Sequence, residues 1–461
     1  MSGERSDAIL LFGASGDLAK RKIIPALYNL VRKGLWDGPI IGVGRSKWTA
    51  EDFRNYARVS IAQFADSADE AAVEKLTSLM NFVSGEYEDP ETFEKMKSLL
   101  AGVKRPLFYL AIPPSLFETV ASRLYEIGLA ATGRVVVEKP LGRDLQSARQ
   151  IGECLERCFP KDAVFRIDHF LAKEAVRNLL VFRFANSLLE PVWNNRYVAE
   201  VQVTLSETLG VESRGYFYEE VGAVRDVVQN HLMEVVTLLA IEPPLGMDAE
   251  SLAVEKLKVL KAIRTLDPSD VVRGQYIGYR TETGVDPASQ VETFAALRLE
   301  IDSWRWAGVP FYIRTGKRLR SDALFVAVIF QHPPRMLFAE PYVRPDPNEI
   351  TFRLDSEEKV AFRMQVKVPG ELVKAQPVSV EFQFHSEFGE EHESEYELLL
   401  GDAIEGEHTL FAQQSTIEES WRIFDRVVHN PPPLEFYEPG TWGPREADEI
   451  IRAGSYWRVP R

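Results

Sequence analysis

The stretch Ala8-Ile9-Leu10-Leu11-Phe12-Gly13-Ala14-Ser15-Gly16-Asp17-Leu18-Ala19-Lys20 joins a continuous apolar run to a glycine-containing turn. The apolar run is typical of a strand buried on both faces. After the turn, apolar residues recur at helical spacing from Ile23 to Val31. Strand, glycine turn and helix form the first unit of a dinucleotide-binding fold, in which the helix N-terminus faces a pyrophosphate. The spacing G-x-x-G-x-x-A also fits a plain tight turn, so the neighbouring segments decide between the two interpretations.

The second predicted strand, Pro39 to Gly44, ends in Arg45-Ser46-Lys47. A protein that prefers NAD usually has an acidic residue here, where it binds the ribose hydroxyls. A guanidinium, a hydroxyl and an ammonium suit the 2′-phosphate of NADP instead. The sequence therefore predicts NADP as the coenzyme, against the alternative of a solvated strand end.

Strand and helix patterns alternate through the first third of the chain, which predicts a parallel, doubly wound sheet. Further strands are predicted at residues 81–84, 107–111 and 135–137, and the last of them ends in Glu138-Lys139-Pro140. The polar motifs all follow the C-terminal ends of strands. They therefore share one edge of the sheet, where α/β proteins bind their ligands.

From about Lys173 onward the pattern changes to alternation with period two, for example at 198–205, 295–301, 325–330 and 378–384. This pattern predicts an α+β domain with a large, mostly antiparallel sheet, one face of which needs covering by helices or by another subunit. We expect a Rossmann-type, NADP-binding α/β domain over residues 1–172. The α+β domain over residues 173–461 is expected to serve substrate binding and oligomerisation.

The stretch Arg166-Ile167-Asp168-His169-Phe170-Leu171-Ala172-Lys173-Glu174 concentrates two basic residues, two acidic residues and an imidazole at a predicted strand-to-helix junction. A solvated turn with a salt bridge is the ordinary explanation of such a cluster. Its place on the same sheet edge as the other motifs favours a ligand site.

A second polar cluster, Asp226, Asn230 and His231, lies on a helix predicted from about Gly222 to Ala240. In an α-helix, residues five apart are separated by about 140° around the axis, so Asp226 and His231 would flank a ligand without pairing. A purely structural histidine is the alternative. A dehydrogenase acting on a hydroxyl needs a base for the O–H proton, and a histidine oriented by a carboxylate suits that task.

The 461 residues suggest two domains, and the net charge of −15 with a pI of about 5.2 disfavours a nucleic-acid binder. The two cysteines, Cys154 and Cys158, exclude a disulfide framework and have no further ligands nearby in the sequence, so no metal site is predicted. No apolar run of membrane length and no signal-peptide core is visible, and we expect a cytoplasmic protein.

Five motifs occur in one order over nearly the whole chain, and together they resemble the glucose-6-phosphate 1-dehydrogenase family. They are Gly13 to Lys20, Glu138-Lys139-Pro140, Arg166 to Glu174, Arg225-Asp226 to His231, and Gly308 to Lys317. The resemblance implies NADP-dependent oxidation of D-glucose 6-phosphate at C1 to 6-phospho-D-glucono-1,5-lactone, the entry step of the pentose phosphate pathway. It also implies a homodimer or homotetramer formed through the large sheet.

The resemblance also assigns roles to residues of this chain. His231 matches the general base and Asp168 its carboxylate partner. His169 and Lys173 match phosphate ligands. The positions that match sugar binding are Lys139, Glu207, Asp226 and Lys317. The positions that match coenzyme binding are Gly13, Ser15, Gly16, Asp17, Leu18 and Arg45, together with Lys139.

Two positions depart from the family pattern, which usually has tyrosine at Phe170 and glycine at Ala172. The tyrosine hydroxyl is a phosphate ligand, so Phe170 removes a donor, while Ala172 adds a methyl group. Three alternatives to a glucose-6-phosphate dehydrogenase stay open. They are a divergent paralogue that oxidises another sugar or sugar phosphate, an oxidoreductase of the glucose–fructose type, and an NADP-binding sensor without catalysis. The motif from Arg166 to Glu174 argues against the second, and the intact Asp168, Lys173 and His231 argue against the third.

Overall fold

The computed structural model describes residues 5–65, 67–335, 337, 346–355, 357–370, 374–383 and 393–460. The chain folds into two compact units. Unit 1 comprises Met1–Lys173, Leu245–Ala253 and His392–Glu418, and unit 2 comprises Glu174–Pro244, Val254–Glu391 and Glu419–Arg461. The first segment of unit 1 ends one residue beyond the predicted division at 172/173, and two later segments return to this unit. The division of tasks between residues 1–172 and 173–461 stays a prediction.

Unit 1 contains a six-stranded sheet with the order β3-β2-β1-β4-β5-β6, in which all neighbouring strands are parallel. Its strands are β1 (Ala8–Phe12), β2 (Ile40–Gly44), β3 (Met80–Ser84), β4 (Pro106–Leu110), β5 (Arg134–Val137) and β6 (Val164–Arg166). This order reverses between β1 and β4, as in doubly wound dinucleotide-binding folds. The predicted Rossmann-type domain is confirmed.

Helices connect the strands of unit 1 and supply much of unit 2. In chain order they are α1 (Ile24–Arg32), α2 (Ala50–Phe64), α3 (Glu70–Ser78), α4 (Pro90–Leu99), α5 (Phe117–Glu126), α6 (Leu145–Cys158), α7 (His169–Ala172), α8 (Glu174–Phe184), α9 (Gly215–Ala223), α10 (Met233–Ala240), α11 (Ala249–Ala262), α12 (Glu395–Glu405) and α13 (Gln414–His429). Thr49, Asp89 and Asp144 accept backbone N–H bonds at the starts of α2, α4 and α6, because short polar side chains satisfy the free donors of a helix end.

The late segment 392–418 completes the core of unit 1. Leu399, Leu400 and Ala403 of α12 are buried in one cluster with Ile9 and Leu11 of β1. Residues of α12 therefore lie within reach of the sheet edge that carries the polar motifs.

Unit 2 contains a nine-stranded sheet with the order β14-β13-β12-β11-β7-β10-β9-β8-β15. Its strands are β7 (Val198–Ser206), β8 (Val271–Tyr276), β9 (Phe294–Glu300), β10 (Pro310–Gly316), β11 (Ala323–Phe330), β12 (Glu349–Arg353), β13 (Lys359–Lys367), β14 (Ala375–Gln383) and β15 (Leu434–Tyr437). The pairs β7–β10 and β8–β15 are parallel, and the other neighbouring pairs are antiparallel. The predicted large, mostly antiparallel sheet is confirmed. Phe384, the last residue of the predicted strand 378–384, lies outside the described residues.

The helix predicted from Gly222 to Ala240 is interrupted and changes pitch. Gly222 has a φ of +64°, and a β-carbon there would lie 2.5 Å from Oε1 of Glu292, so only glycine fits. Residues Val224–Leu232 then form a π-helix before α10 begins. The expectation of a regular α-helix at this place was wrong.

Among the described residues, no helix is both long and apolar enough to cross a membrane.

Candidate active site

The glycine turn after β1 is held by hydrogen bonds to two tyrosines. Gly13 has a φ of +78°, a β-carbon there would lie 2.1 Å from the carbonyl oxygen of Ala111, and its N–H donates to the hydroxyl of Tyr87 at 3.0 Å. The hydroxyl of Tyr56 donates to the carbonyl oxygens of Ser15 and Gly16, each at 3.1 Å. The helical run begins at Asp17, and the first N–H groups of a helix have no partner within it. A glycine turn before a helix N-terminus is the place where dinucleotide-binding folds bind a pyrophosphate.

The predicted coenzyme residues after β2 lie next to this turn. The hydroxyl of Ser46 donates to the hydroxyl of Ser15 at 3.0 Å, which ties the end of β2 to the glycine turn. The side chains of Arg45 and Lys47 are exposed. The carboxylate of Asp17 accepts a bond from Arg21 at 2.8 Å. Two exposed cations, Arg45 and Lys47, therefore flank Ser46 at this strand end.

Lys139 and Asp168 meet at the C-terminal ends of the neighbouring strands β5 and β6. The Nζ atom of Lys139 donates to Oδ2 of Asp168 at 2.9 Å. The other oxygen, Oδ1, accepts the N–H of Phe170 at 3.0 Å and caps the short helix α7. Each oxygen of this buried carboxylate therefore accepts a hydrogen bond, which offsets the cost of burying its charge.

The side chains that follow Asp168 surround the ring of Phe170. The Nζ atom of Lys173 lies 5.2 Å from the centre of that ring and 3.7 Å from Oε1 of Glu395. The ring of His169 meets it edge-on at 5.3 Å. Phe170 thus lies between the two predicted phosphate ligands. Ala172 is buried in the hydrophobic core of unit 1, so its methyl group packs inward.

In unit 2, the register of β7 and β10 places Glu207 beside Lys317. Ser206 and Gly316 are paired residues of these parallel strands. Just beyond them, Nζ of Lys317 donates to Oε2 of Glu207 at 2.6 Å. The buried ring of Tyr218 lies 5.4 Å below the ammonium. Burial, and then the negative charges of Asp226, Glu207 and Glu292, hold the pKa of Tyr218 well above its usual value, so the phenol stays neutral.

The π-helical pitch of residues Val224–Leu232 changes the predicted relation of Asp226 and His231. Hydrogen bonds of a π-helix join residues five apart, which therefore lie above one another on one face. The predicted separation of about 140° assumed α-helical pitch and is corrected by this geometry. The amide of Asn230 donates to the carbonyl of Arg225 at 2.9 Å, and its oxygen accepts the N–H of His231 at 2.6 Å. Short π-segments are often found at functional sites.

Three residues to which the sequence assigned no role complete the edge beside Lys139. Glu138 accepts a hydrogen bond from the hydroxyl of Tyr109 at 2.5 Å and another from Tyr396. The ring of Tyr396 also stacks on His169, with 6.5 Å between centroids and 22° between planes. Glu138 was visible as an acid beside Lys139 at a strand end. No local pattern marks Tyr396, which comes from α12.

The sheet order of unit 1, its glycine turn and the polar strand ends define a nicotinamide-dinucleotide-dependent dehydrogenase. Residues 10–178 match the NAD binding domain of glucose-6-phosphate dehydrogenase, and residues 180–458 match its C-terminal domain. The chain belongs to the glucose-6-phosphate dehydrogenase family.

Individual relatives agree with this assignment over the whole length. Glucose-6-phosphate 1-dehydrogenase 1 of Mycobacterium tuberculosis is 38% identical over 459 residues, which cover 99% of this chain and 97% of the relative. The crystal structure of glucose-6-phosphate 1-dehydrogenase from Mycobacterium avium is 38% identical, with a TM-score of 0.90 and 99% of each chain covered. A glucose-6-phosphate dehydrogenase in complex with its substrate glucose-6-phosphate is 34% identical, with a TM-score of 0.90 and 100% of each chain covered.

Proposed function

We propose that this protein oxidises D-glucose 6-phosphate at C1 to 6-phospho-D-glucono-1,5-lactone, with transfer of a hydride to NADP. The observation that carries the proposal is similarity over the full length to a glucose-6-phosphate dehydrogenase in complex with its substrate. The braced glycine turn and the Lys139–Asp168 pair on the same sheet edge support it, because this edge is where doubly wound folds bind coenzyme and substrate.

In the proposed reaction, His231 removes the proton from the C1 hydroxyl while a hydride leaves C1. Asp168 is the carboxylate that orients the base and stabilises its charged form. The nicotinamide, when bound, supplies the hydride acceptor. His169 and Lys173 bind the phosphate, and their charge suits a dianion. The sugar is held by Lys139, Glu207, Asp226 and Lys317.

The proposed preference for NADP rests on the cations after β2. Replacing Arg45 with alanine should raise the KM for NADP by about 10–100-fold, because a charge-assisted bond contributes about 1.5–3 kcal/mol. The KM for NAD should change little, since NAD has no 2′-phosphate. Steady-state kinetics with both coenzymes check this, with Arg123→Ala on α5 as the control for a lost surface arginine. Equal losses for NAD and NADP would contradict the assignment.

Phe170 is expected to weaken the binding of the sugar phosphate. Its ring lies beside Lys173 and His169, so a para-hydroxyl would add a donor next to both proposed phosphate ligands. Phe170→Tyr should lower the KM for glucose 6-phosphate by about 10-fold or more. The matched control is Phe64→Tyr at a half-exposed phenylalanine. An unchanged KM in Phe170→Tyr would show that the missing hydroxyl does not weaken sugar-phosphate binding.

We further propose a homodimer or homotetramer that forms through the large sheet. Five apolar side chains lie exposed on one face of the paired strands β13 and β14. They are Met364, Val366, Val378, Val380 and Phe382. A patch of this kind on an edge of a sheet normally binds another surface. Light scattering should give a mass of two or four times 52.2 kDa, and a mass of one chain would contradict the proposal.

A cytoplasmic location is proposed from the cysteines. Cys154 and Cys158 are both free and buried, which fits a reducing compartment. Fractionation of the source cells with a specific antibody tests it, and recovery outside the cytoplasmic fraction would contradict it.

The proposed reaction is tested by coenzyme reduction in a two-by-two design. Glucose 6-phosphate and glucose are each combined with NADP and with NAD. Rapid reduction with glucose 6-phosphate and NADP is expected. Reduction with free glucose would favour an enzyme of the glucose–fructose type. Reduction with neither sugar would point to another sugar phosphate, for which the missing hydroxyl at Phe170 gives a reason.

A further inference from the structure

Glu138 joins three elements of unit 1 through its carboxylate. It follows β5 directly and accepts the hydroxyl of Tyr109 from the neighbouring strand β4 at 2.5 Å. It also accepts the hydroxyl of Tyr396 from α12. Both phenols are buried. The adjacent residue, Lys139, donates to Asp168 after β6.

We propose that Glu138 is a positioning residue of the active site, whose carboxylate, anchored by Tyr109 and Tyr396, fixes the turn that presents Lys139 to Asp168. The inference rests on the proposed function, in which Lys139 and Asp168 take part. Two hydrogen bonds from separate elements hold the side chain of Glu138, and Lys139 is the next residue along the chain. Tyr396 also contacts a proposed phosphate ligand, because its ring stacks on that of His169.

The anchoring depends on the charge of Glu138. An ionised carboxylate only accepts, so both phenols donate to it. A protonated carboxyl carries one O–H donor that needs an acceptor of its own, so protonation rearranges the hydrogen bonds between Glu138 and the two phenols. The groups that face Glu138 are Tyr109, Tyr396, Lys139 and Asp168. Burial raises the pKa of Glu138 to about 7, against the opposing effect of the two phenols and Lys139. The arrangement in which both phenols donate to Glu138 therefore prevails above about pH 7, and it is rearranged below this pH.

The titration of Glu138 should also change the stability of the folded protein with pH, and this effect does not depend on the proposed activity. The pKa of Glu138 is raised on folding from 4.5 to about 7. Its protonation therefore favours the folded state below pH 4.5, and this contribution is lost as the pH rises through about 7. Glu138→Gln removes the contribution. Between pH 5 and 8, the unfolding midpoint of the natural protein should fall relative to that of Glu138→Gln.

The activity test uses the two phenols. Tyr109→Phe and Tyr396→Phe each remove one anchor, and with it a bond that lowers the pKa of Glu138. In each variant kcat/KM should therefore fall, and its acid limb should move up by about one pH unit. Tyr28→Phe is the matched control, because this buried hydroxyl accepts the N–H of Asp69 at 2.7 Å and lies outside the cluster. Its profile should coincide with that of the natural protein.

The outcomes test the role of Glu138 separately from the proposed function. A falling relative midpoint together with shifted profiles in both phenylalanine variants supports the role of Glu138. A relative midpoint independent of pH, or unshifted profiles in an active enzyme, overturns that role and leaves the proposed function intact. A natural protein that reduces no coenzyme with glucose 6-phosphate, yet shows the falling midpoint, overturns the proposed function and the role of Glu138 with it.

Discussion

His231→Asn is expected to lower kcat by about 10²–10⁴-fold, the usual contribution of a positioned general base. Asparagine keeps a polar side chain of similar size but cannot take the proton from the C1 hydroxyl. The KM for glucose 6-phosphate should change much less, because the proposed phosphate ligands lie elsewhere in the chain. Steady-state kinetics with NADP give both constants.

A kinetic isotope effect shows whether the hydride-transfer step itself has slowed. With glucose 6-phosphate deuterated at C1, the isotope effect on kcat should be larger in His231→Asn than in the natural enzyme, because the chemical step then limits turnover. A partly unfolded variant would lose activity with an unchanged isotope effect. His429→Asn on α13 is the matched control, since this exposed histidine contacts only its own helix among the described residues. A full-rate His231→Asn enzyme would exclude the base assignment.

Asp168→Asn is expected to lower kcat/KM by about 100-fold or more. An asparagine oxygen can still accept the N–H of Phe170 and cap α7, because asparagine is a good helix cap. The ammonium of Lys139, however, loses the charge to which it donates at 2.9 Å. Removing one partner of a charge-assisted bond costs about 1.5–3 kcal/mol, and the proposed base also loses its orienting carboxylate.

The retained cap makes this variant informative, because the folded state should lose only the bond between Asp168 and Lys139, while kcat/KM falls about 100-fold or more. Asp162→Asn, an exposed change of the same kind in unit 1, should alter neither the stability of the fold nor kcat/KM. Full activity in Asp168→Asn would show that the charge of the buried carboxylate has no role in catalysis.

Much of unit 1 was predictable because its signals are local. The apolar run Ala8–Phe12 coincides with β1. Thr49, Asp89 and Asp144 are residues of the kind that begin helices, and each of them caps one. The edge where Lys139 meets Asp168 followed from the rule that parallel strands end together. Each of these inferences needed only a short window of sequence.

The parts that the sequence missed depend on distant partners. Tyr396 reaches Glu138 because α12 returns to the core of unit 1, and nothing near Tyr396 indicates this. Segment 310–316 was not among the predicted strands, although β10 is the strand that places Lys317 beside Glu207. The π-helix around His231 follows the break at Gly222, against which the distant residues Val291 and Glu292 pack.

The most direct test of the proposed reaction follows the hydrogen at C1. The protein is incubated with C1-deuterated glucose 6-phosphate and NADP, and the reduced coenzyme is analysed by mass spectrometry. Hydride transfer from C1 predicts reduced NADP that carries one deuterium, together with the phosphogluconolactone or its hydrolysis product. Reduced coenzyme without deuterium, or no reduced coenzyme at all, would contradict the proposal that this chain oxidises glucose 6-phosphate at C1.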